Sequence, residues 1–444
     1  MSGSALVSAV VNGIEGGDMG YFGSDQEVEF DSRVFPRSGY SRDEVMAQLT
    51  GFDLQDVDDI HAHNTIQSTT LMSHLEAAQL AKDANQMFLR RNMLYKTLLP
   101  GTTRMALEVK QMIKEMLGFP REARIRFTSG GSESLYCAIH SARQWARREK
   151  NIEKPEIVVP YSIHAAFSKW CTYADIKINR IQLGPDYRAD VEAMERAVNE
   201  NTILIAGSAP CWPYGLFDNI AGLAGIAERH NLWMHVDGCL GGFQSPFAEK
   251  LGHPLPTWDF RIPGVRSISA DLHKHAYSAK PLSSITFRTS EWEQYLDCPA
   301  SDWPDGPYTT EAICGTTTAG PIASAWAVMK FLGEEGYSDL MRRSLEVRER
   351  YIEKLAAING VEPFVSDMCV LTIRPEKGLD LFAIMGGLYE RRSYCLPSLQ
   401  PPAMKVVLDP VTDEVVDTFV DDLAEVIALV RKGEITIDAI KPYM

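Results

Sequence analysis

The sequence predicts an α/β protein with a large, doubly wound domain on a mostly parallel sheet and a small C-terminal α/β domain. Two observations predict this class. Short apolar runs typical of buried strands alternate with helical patterns from about residue 124 onward. A chain of 444 residues is also long enough for more than one core. We expect an N-terminal arm and helical segment over 1–95, a large domain over 96–335 and a small domain over 336–444.

The N-terminal segment shows the weakest pattern. Residues 1–40 are rich in Gly, Ser and Asp without a sustained period, which predicts an arm that is partly ordered at most. From 41 to 88 the spacing becomes helical. The small and apolar residues that recur at this spacing are Leu71, Leu75, Ala78 and Ala81.

A clearer helix is predicted over about 103–117. Its apolar face carries Met105, Val109, Met112, Ile113 and Met116. Thr102 or Thr103 is expected to cap its N-terminus, and Gly118 is expected to end it. The methionines on this face are interpreted as core residues.

The alternating region comes next. Its predicted strands are RIRFTS, EIVVP, IKINRIQL, TILIAG, LWMHVD, VRSISA and SSITFR. Helices are expected between them, at about 132–149 and 164–174, after Asp190, and at about 219–230. Two further helices, near 321–333 and 338–357, lead to a final strand, helix, strand, helix order that begins at VLTIR.

Composition excludes several classes of partner. The formal net charge is −15, which disfavours nucleic acid and anionic membrane surfaces. We find no secretory leader and no run of about 18 apolar residues, so a cytoplasmic protein is expected. The 8 cysteines form no CxxC pair and are interpreted as free thiols. The motif His61-Ala62-His63 has no matching ligand cluster, so no metal is expected.

Four polar groups are expected at the carboxyl ends of the strands, where such sheets bind ligands. The first is TSGGSES, whose Gly130, Gly131 and Ser132 open a helix and suit an anion, although a Gly-Gly turn often only connects two elements. The second is His164, which is otherwise a helix cap. The third is Asp237, which follows an apolar strand and needs a cationic partner unless it caps a turn.

The fourth group lies in SADLHKHAYSAK, residues 269–280, which is otherwise a solvated charged face. Here Lys274 beside His273 is a candidate to form a Schiff base. Pyridoxal phosphate requires an anion cradle, a lysine for its aldehyde, a carboxylate at its pyridine nitrogen and a flat group over its ring. Gly130–Ser132, Lys274, Asp237 and His164 match these requirements.

The chain resembles the group II pyridoxal-phosphate-dependent decarboxylases, and within them the sphingosine-1-phosphate lyases most. The matching segments, between about residues 90 and 345, are FTSGGSES, PEIVVPYSIHAAFSKW, HVDGCLGGFQSPF, WDFRIPGVRSISADLHKHAYSAK and AWAVMKFLGEEGY. The resemblance implies the fold type I architecture of aspartate aminotransferase and a homodimer with shared active sites.

The resemblance also implies roles for single residues. Lys274 would bind pyridoxal phosphate covalently beside His273, Asp237 would contact the pyridine nitrogen, and His164 would stack on the ring. Gly131 and Ser132 would hold the cofactor phosphate. Gly315 and Thr316 of CGTTTAG in the partner subunit would complete this cradle. Ser208 of the same subunit as Lys274 would lie near the hydroxyl side of the cofactor.

The expected substrate-phosphate subsite departs from the lyases. Tyr95 stands where they have a histidine, Pro281 and Leu282 replace Gly-Ser, and Thr317 replaces an arginine, while Lys280 is kept. These changes remove hydrogen-bond donors and an arginine fork. A smaller amine without a phosphate, with a hydroxyl or a carboxylate, is therefore expected as substrate.

The function predicted from the sequence is that of a lyase that breaks a carbon–carbon bond at Cα of an amine, with loss of an aldehyde. Two alternatives stay open. One is decarboxylation of an amino acid by the same family, and the other is an inactive cofactor-binding protein that serves as an interaction partner.

Overall fold

The computed structural model describes residues 36, 38–53, 74–364, 366–368, 370–391, 393 and 395–435. Most of the predicted arm, Leu71 and the motif His61-Ala62-His63 lie outside these residues. The described part of the N-terminal segment contains two helices, α1 (Arg42–Asp53) and α2 (Leu75–Phe88). The predicted apolar face of α2 is wrong in detail, because Ala77 and Ala81 are buried whereas Leu75 is 68% exposed.

A sheet of 7 strands organises the large domain. Its strands are β1 (Arg124–Thr128), β2 (Glu156–Pro160), β3 (Lys177–Ile181), β4 (Thr202–Ser208), β5 (Trp233–Asp237), β6 (Val265–Ala270) and β7 (Ser283–Phe287). They lie in the order β1-β7-β6-β5-β4-β2-β3, and only β7 runs against its neighbours. The mostly parallel sheet predicted from the apolar runs is therefore confirmed.

Helices connect these strands. They are α3 (Pro100–Leu117), α4 (Gly131–Glu149), α5 (Ala166–Ala174), α6 (Val191–Arg196), α7 (Ile220–Arg229), α8 (Ser245–Lys250) and α9 (Ser290–Glu293). Asp190 caps α6 as predicted, since its side chain accepts the amide N–H of Ala193. The predicted threonine cap of α3 is wrong because the helix begins at Pro100, whose ring suits the first helical turn.

The C-terminal part begins with a long helix, α10 (Gly320–Ala356). Gly333 interrupts it with a φ of 57°, so the two helices predicted here form one element with a break. An antiparallel sheet follows, in the order β10-β11-β9-β8. Its strands are β8 (Val361–Phe364), β9 (Val370–Pro375), β10 (Leu396–Leu399) and β11 (Pro402–Val407), with helices α11 (Leu381–Glu390) and α12 (Val416–Lys432).

An ion pair joins the segment between β3 and α6 to the segment between β8 and β9. The guanidinium of Arg188 donates to both carboxylate oxygens of Asp367, over 2.7 and 2.8 Å. The same carboxylate accepts the amide N–H of Phe217 over 2.8 Å, in the loop after β4. This bidentate pair fixes that loop against the small sheet.

No helix within the described ranges is both long enough and apolar enough to cross a membrane.

Candidate active site

The carboxyl ends of three neighbouring strands form the floor of the site. Ser208 ends β4 and pairs in register with Asp237, which ends β5. Asp237 in turn pairs with Ser269 of β6. The turn after β6 carries Lys274, so parallel strand order brings residues from distant parts of the sequence to one edge.

The glycine turn before α4 reaches the same edge. A Cβ atom built on Gly130 would lie 3.6 Å from His273, and one on Gly131 would lie 2.8 Å from both Asp271 Oδ2 and Cys239 Sγ. Only glycine fits at position 131 without displacing these atoms. The N-terminal amides of α4 therefore open beside Lys274, and the Ser132 carbonyl is held by the indole N–H of Trp170 at 2.6 Å.

Lys274 is ion-paired with a residue that the sequence reasoning left out of the site. Its Nζ atom lies 2.9 Å from Oδ2 of Asp271, which is 2% exposed and also accepts the Ser283 hydroxyl on Oδ1. Burial alone would lower the pKa of Lys274, but the Asp271 carboxylate raises it above its ordinary value. The signal in the sequence that could have identified Asp271 is its position three residues before Lys274, within one turn of the chain.

His273 lies between this ion pair and the strand β7. Its Nδ1 atom accepts the amide N–H of Leu282 at 3.1 Å, and its Nε2 atom lies 3.7 Å from Asp271 Oδ2. Partial burial lowers the pKa of His273 despite the nearby carboxylate, and the charges of Lys274 and Lys280 lower it further.

Asp237 and Ser208 offer buried polar groups to a ligand. Asp237 is 7% exposed, and its Oδ1 atom accepts the amide N–H of Cys239 at 3.1 Å and the Ser269 hydroxyl at 3.4 Å. No lysine, arginine or histidine within the described ranges forms an ion pair with it. The Ser208 hydroxyl is wholly buried and has no hydrogen-bond partner among the described residues. Buried groups of this kind require a partner, and a bound molecule can supply one.

His164 stands at the start of α5, where its ring faces the same charges. Its Nδ1 atom accepts the amide N–H of Ala166 at 3.1 Å, which leaves the proton of a neutral ring on Nε2. Desolvation lowers the pKa of His164; the Asp237 carboxylate opposes this effect and the Lys274 ammonium adds to it. The side chain is exposed on the protomer, so a face of the ring is available to a ligand.

Four other predicted site residues form a separate group. Tyr95, Thr316 and Thr317 are exposed, and Gly315 lies against the Tyr308 hydroxyl. The Thr317 carbonyl accepts the amide N–H of Met93 at 2.9 Å, which brings Thr317 and Tyr95 onto one surface. Within the described ranges, no hydrogen bond or ion pair links this group to Lys274.

A charged cavity of about 360 Å³ lies beside this second group. Lys96 and Lys110 both pair with Glu311 inside it, and Lys110 of α3 is mostly buried. Burial opposes ionisation of Glu311, yet the two ammonium groups lower its pKa to about 2. This pairing fastens the loop that carries Gly315 to the helix α3.

Lys280 lies at the surface, whereas one of the two residues that follow it lies in the core. Lys280 and Pro281 are exposed, whereas Leu282 is 3% exposed and belongs to the large hydrophobic core. The Leu282 side chain therefore contributes to core packing and offers no polar group at this surface. Lys280 remains close enough to His273 to lower its pKa.

The residues at the first site fit pyridoxal phosphate. The Gly130-Gly131 turn places the N-terminal amides of α4 beside Lys274, where they suit a phosphate. Asp237 offers a buried carboxylate without an ion partner, and Ser208 offers an unpaired hydroxyl. When bound, this cofactor supplies an electron sink for carbanions at the Cα atom of an amine. No cluster of three or more metal-ligating side chains occurs in the described ranges.

Residues 44–370 match the pyridoxal-dependent decarboxylase conserved domain. The chain belongs to this family. It is therefore a pyridoxal-phosphate-dependent carbon–carbon lyase of fold type I.

Individual relatives agree with this assignment. The sphingosine-1-phosphate lyase of Dictyostelium discoideum is 31% identical over 92% of this chain and 77% of its own length. A probable L-aspartate decarboxylase of Pyrococcus furiosus is 32% identical over 73% of this chain and 85% of its own length. The chain spans 66% of the length of the plant sphingosine-1-phosphate lyases that it matches.

A solved structure supports the architecture. The sphingosine-1-phosphate lyase Bpss2021 of Burkholderia pseudomallei K96243 superposes with a TM-score of 0.85. The two sequences are 28% identical, and the match covers 91% of this chain and 94% of that one.

Proposed function

We propose that this decarboxylase-family enzyme cleaves a Cα–carbon bond of a small amine with release of an aldehyde, and that its substrate lacks a phosphate group. The observation that carries cleavage at Cα is the assembly of Lys274, the Asp237 carboxylate without an ion partner and the unpaired Ser208 hydroxyl at one sheet edge. The similarity to sphingosine-1-phosphate lyases favours aldehyde release.

Each residue has a distinct task in this proposal. The amides of Gly130, Gly131 and Ser132 bind the cofactor phosphate, and the α4 dipole favours its charge. Lys274 provides the amine that holds the cofactor. Asp237 keeps a proton on the pyridine nitrogen through its carboxylate, which makes the ring a better electron sink.

The remaining residues orient and enclose the cofactor. The ring of His164 would cover the bound cofactor, the Ser208 hydroxyl would donate a hydrogen bond to it, and His273 supports the Lys274 turn. We assign Gly315 and Thr316 to the phosphate cradle of the partner subunit in a homodimer. The exposure of Thr316 on the protomer and the lack of contact of both residues with Lys274 support this assignment.

Loss of donors argues against a phosphorylated substrate. Thr317 stands where the lyases have an arginine, Pro281 has no N–H, and the Leu282 side chain is in the core. Each missing charge-assisted hydrogen bond costs roughly 1.5–3 kcal/mol, so two losses weaken binding by about a hundredfold or more. Lys280 remains as a single cation for a less charged group.

Decarboxylation of an amino acid is the second candidate. The 32% identity to a protein named as a probable L-aspartate decarboxylase favours it. The residues around the cofactor serve both reactions equally, because each reaction leaves a negative charge on the same carbon. A protein that only binds the cofactor as an interaction partner is a weaker candidate, since Lys274, Asp237 and His164 are all present.

We further propose a cytoplasmic location and domain boundaries at 96–335 and 336–444. The seven cysteines in the described ranges are free, in keeping with a reducing compartment. The break of α10 at Gly333 lies next to the second boundary.

The test is release of aldehyde and of CO₂ by the holoenzyme across amines and amino acids, including a sphingoid-base phosphate and its dephosphorylated counterpart. We expect the unphosphorylated compounds to have the higher kcat/KM. A preference for the phosphorylated base that Lys280→Ala abolishes would refute this substrate assignment. Borohydride reduction and peptide mapping should place a pyridoxyl group on Lys274, and its recovery on Lys280 would refute the site.

A further inference from the structure

The charged cavity beside α3 carries more positive charge than its own carboxylates neutralise. Its volume is about 360 Å³, and the carboxylates of Glu293 and Glu311 share its lining with five basic side chains. The basic residues are Lys96, Lys110, Lys114, Arg124 and Arg126. The whole chain has a formal net charge of −15, so this local excess of cations is opposite in sign to the protein that surrounds it.

Three of these cations already hold the two carboxylates. Lys96 and Lys110 both pair with Glu311. The Arg126 guanidinium pairs with Glu293, with its Nε atom 2.5 Å from the carboxylate. Both carboxylates of the lining are therefore engaged by these three side chains.

The other two cations have no close carboxylate. Within the described ranges no carboxylate forms an ion pair with Lys114, whose Nζ atom donates to the Arg121 carbonyl at 2.9 Å. Arg124 reaches Glu293 only at 4.0 Å, and Arg126 binds that carboxylate more closely. An ammonium and a guanidinium thus remain free to receive an anion.

Lys114 and Arg124 lie close enough together to repel each other. Burial lowers the pKa of Lys114, and the Arg124 guanidinium lowers it further. The Glu122 carboxylate opposes this effect from outside the cavity lining. Arg124 is exposed and Lys114 is partly exposed, so solvent reaches both side chains. An anion that contacts both would relieve their repulsion.

We propose that this cavity binds a small anion of the phosphate class, with two or more negative charges, through the Lys114 ammonium and the Arg124 guanidinium. A guanidinium can donate two parallel N–H groups to phosphate oxygens, and an ammonium adds a point charge. A volume of about 360 Å³ is at the lower end of the range for small-molecule pockets, which suits a phosphate or diphosphate group with a small substituent.

This site is separate from the amides that suit the cofactor phosphate. Arg124 begins β1, whereas the glycine turn that opens α4 follows the last residue of that strand, Thr128. Five residues of strand place the Cα atoms of Arg124 and Thr128 roughly 13 Å apart. A bound cofactor therefore leaves the cavity available to a second anion.

Glu311 connects the cavity with the loop that carries Gly315. Besides holding two ammonium groups, its carboxylate accepts the amide N–H of Phe127 at 3.4 Å, and its carbonyl accepts an N–H of Arg126 at 3.2 Å. An anion in the cavity competes with this carboxylate for the ammonium groups and loosens the loop. This coupling rests on the proposed function in one respect, namely that Gly315 serves the phosphate cradle of the partner subunit. Under that assignment, a bound anion should speed release of the cofactor.

The experiment measures binding of pyrophosphate to the holoenzyme by calorimetry, with bound cofactor already in the phosphate cradle. Chloride at the same ionic strength is the comparison anion. Lys114→Gln and Arg124→Gln remove the two cations that have no close carboxylate. Lys154→Gln is the matched control, because it removes the same charge from an exposed position of the large domain outside the cavity lining. Glu293→Gln removes a lining carboxylate and keeps the shape of the side chain.

We expect Lys114→Gln and Arg124→Gln each to weaken pyrophosphate binding roughly tenfold, because each removes a charge-assisted hydrogen bond. Lys154→Gln should bind pyrophosphate as the wild type does, and chloride should not compete. Glu293→Gln should bind pyrophosphate more tightly, since a charge that repels the anion is removed. This gain supports the site even where a lining variant proves less stable in thermal unfolding.

Two results overturn the site. One is the absence of pyrophosphate binding by the wild-type holoenzyme. The other is an equal effect of Lys114→Gln, Arg124→Gln and the control Lys154→Gln, because binding would then respond only to the overall charge of the protein.

The coupling is measured separately, as the rate of cofactor release followed by absorbance with and without pyrophosphate. Faster release that Lys114→Gln abolishes supports the coupling. Pyrophosphate binding with an unaltered rate of release supports the site and contradicts the coupling. A holoenzyme that turns over no amine contradicts the proposed function instead, and the calorimetry still decides the site.

Discussion

The Lys274 ammonium and the Asp271 carboxylate lie 2.9 Å apart, with the carboxylate almost wholly buried. Asp271 is held in turn by the Ser283 hydroxyl of β7, at 2.5 Å from Oδ1. The sheet therefore positions the carboxylate, and the carboxylate positions the lysine. This pair also keeps Lys274 protonated, although an amine must be neutral to attack an aldehyde.

Substitution of Asp271 tests this relationship. Asp271→Asn removes the charge that raises the pKa of Lys274, so the pH profile for cofactor uptake by the apoenzyme should shift to lower pH by roughly one unit or more. The rate of uptake is followed by absorbance. Ser283→Ala keeps the carboxylate and serves as control, with a smaller shift expected. An unchanged profile in Asp271→Asn would contradict the role given to this carboxylate.

The carboxylate of Asp237 gives a second prediction. Asp237→Asn keeps an oxygen for the amide of Cys239 but cannot hold a proton on the pyridine nitrogen. We expect cofactor binding to persist while kcat falls roughly a hundredfold or more. Absorbance gives cofactor content and steady-state kinetics give kcat. Near wild-type kcat would exclude this role.

Shared sites between subunits predict complementation. Lys274→Ala and Thr316→Arg should each be inactive, but a hybrid dimer has one site that combines an intact Lys274 with an intact Thr316. Random mixing should restore about one quarter of wild-type activity, because half of the dimers are hybrids with one working site. Activity after dissociation and reassociation is the measurement. A fully active monomer in sedimentation would contradict shared sites.

Buried His235 predicts how stability responds to acid. Burial lowers its pKa to about 4 from an unfolded value near 6.5, so the folded state resists a proton that the unfolded state accepts. Its stabilising contribution is present above about pH 6.5 and is lost as the pH falls towards 4. We expect about 2 kcal/mol less stability at pH 5 than at pH 7 from this residue.

Urea unfolding at both pH values measures this difference. His235→Gln should reduce it, because the buried ring that resists protonation is then absent. An identical loss in wild type and His235→Gln would show that other groups cause the acid sensitivity.

The fold could be predicted where local pattern and burial agree. Apolar runs such as TILIAG form strands that are buried on both faces, and Asp190 caps α6 because its side chain acts on adjacent residues. The strands β8 and β10 were missed, since each has only four residues with a proline that weakens the strand pattern. The antiparallel direction of β7 depends on distant partners and leaves no local signal.

The candidate site, like the fold, could be predicted only where the signal is local in the sequence. Types of residue at strand ends pointed to Lys274 and Asp237, and the family resemblance added Ser208. The parallel sheet brings the three to one edge. Asp271 was missed because its burial depends on Gly131, which has no side chain to keep the α4 turn away. The burial of Leu282 in the core was not predicted, because sequence spacing does not tell which side of the β7 entry faces the core.

The partner of β1 has a consequence for synthesis of the protein on the ribosome. Within the large sheet β1 pairs only with β7, and Thr128 faces Ser283 across the ladder. At roughly 5–20 residues per second, the edge of β1 waits roughly 8–30 s for its partner to be translated. During that interval a strand with free backbone groups is open to aggregation, so the nascent chain is a natural client for a chaperone until residue 287 has emerged.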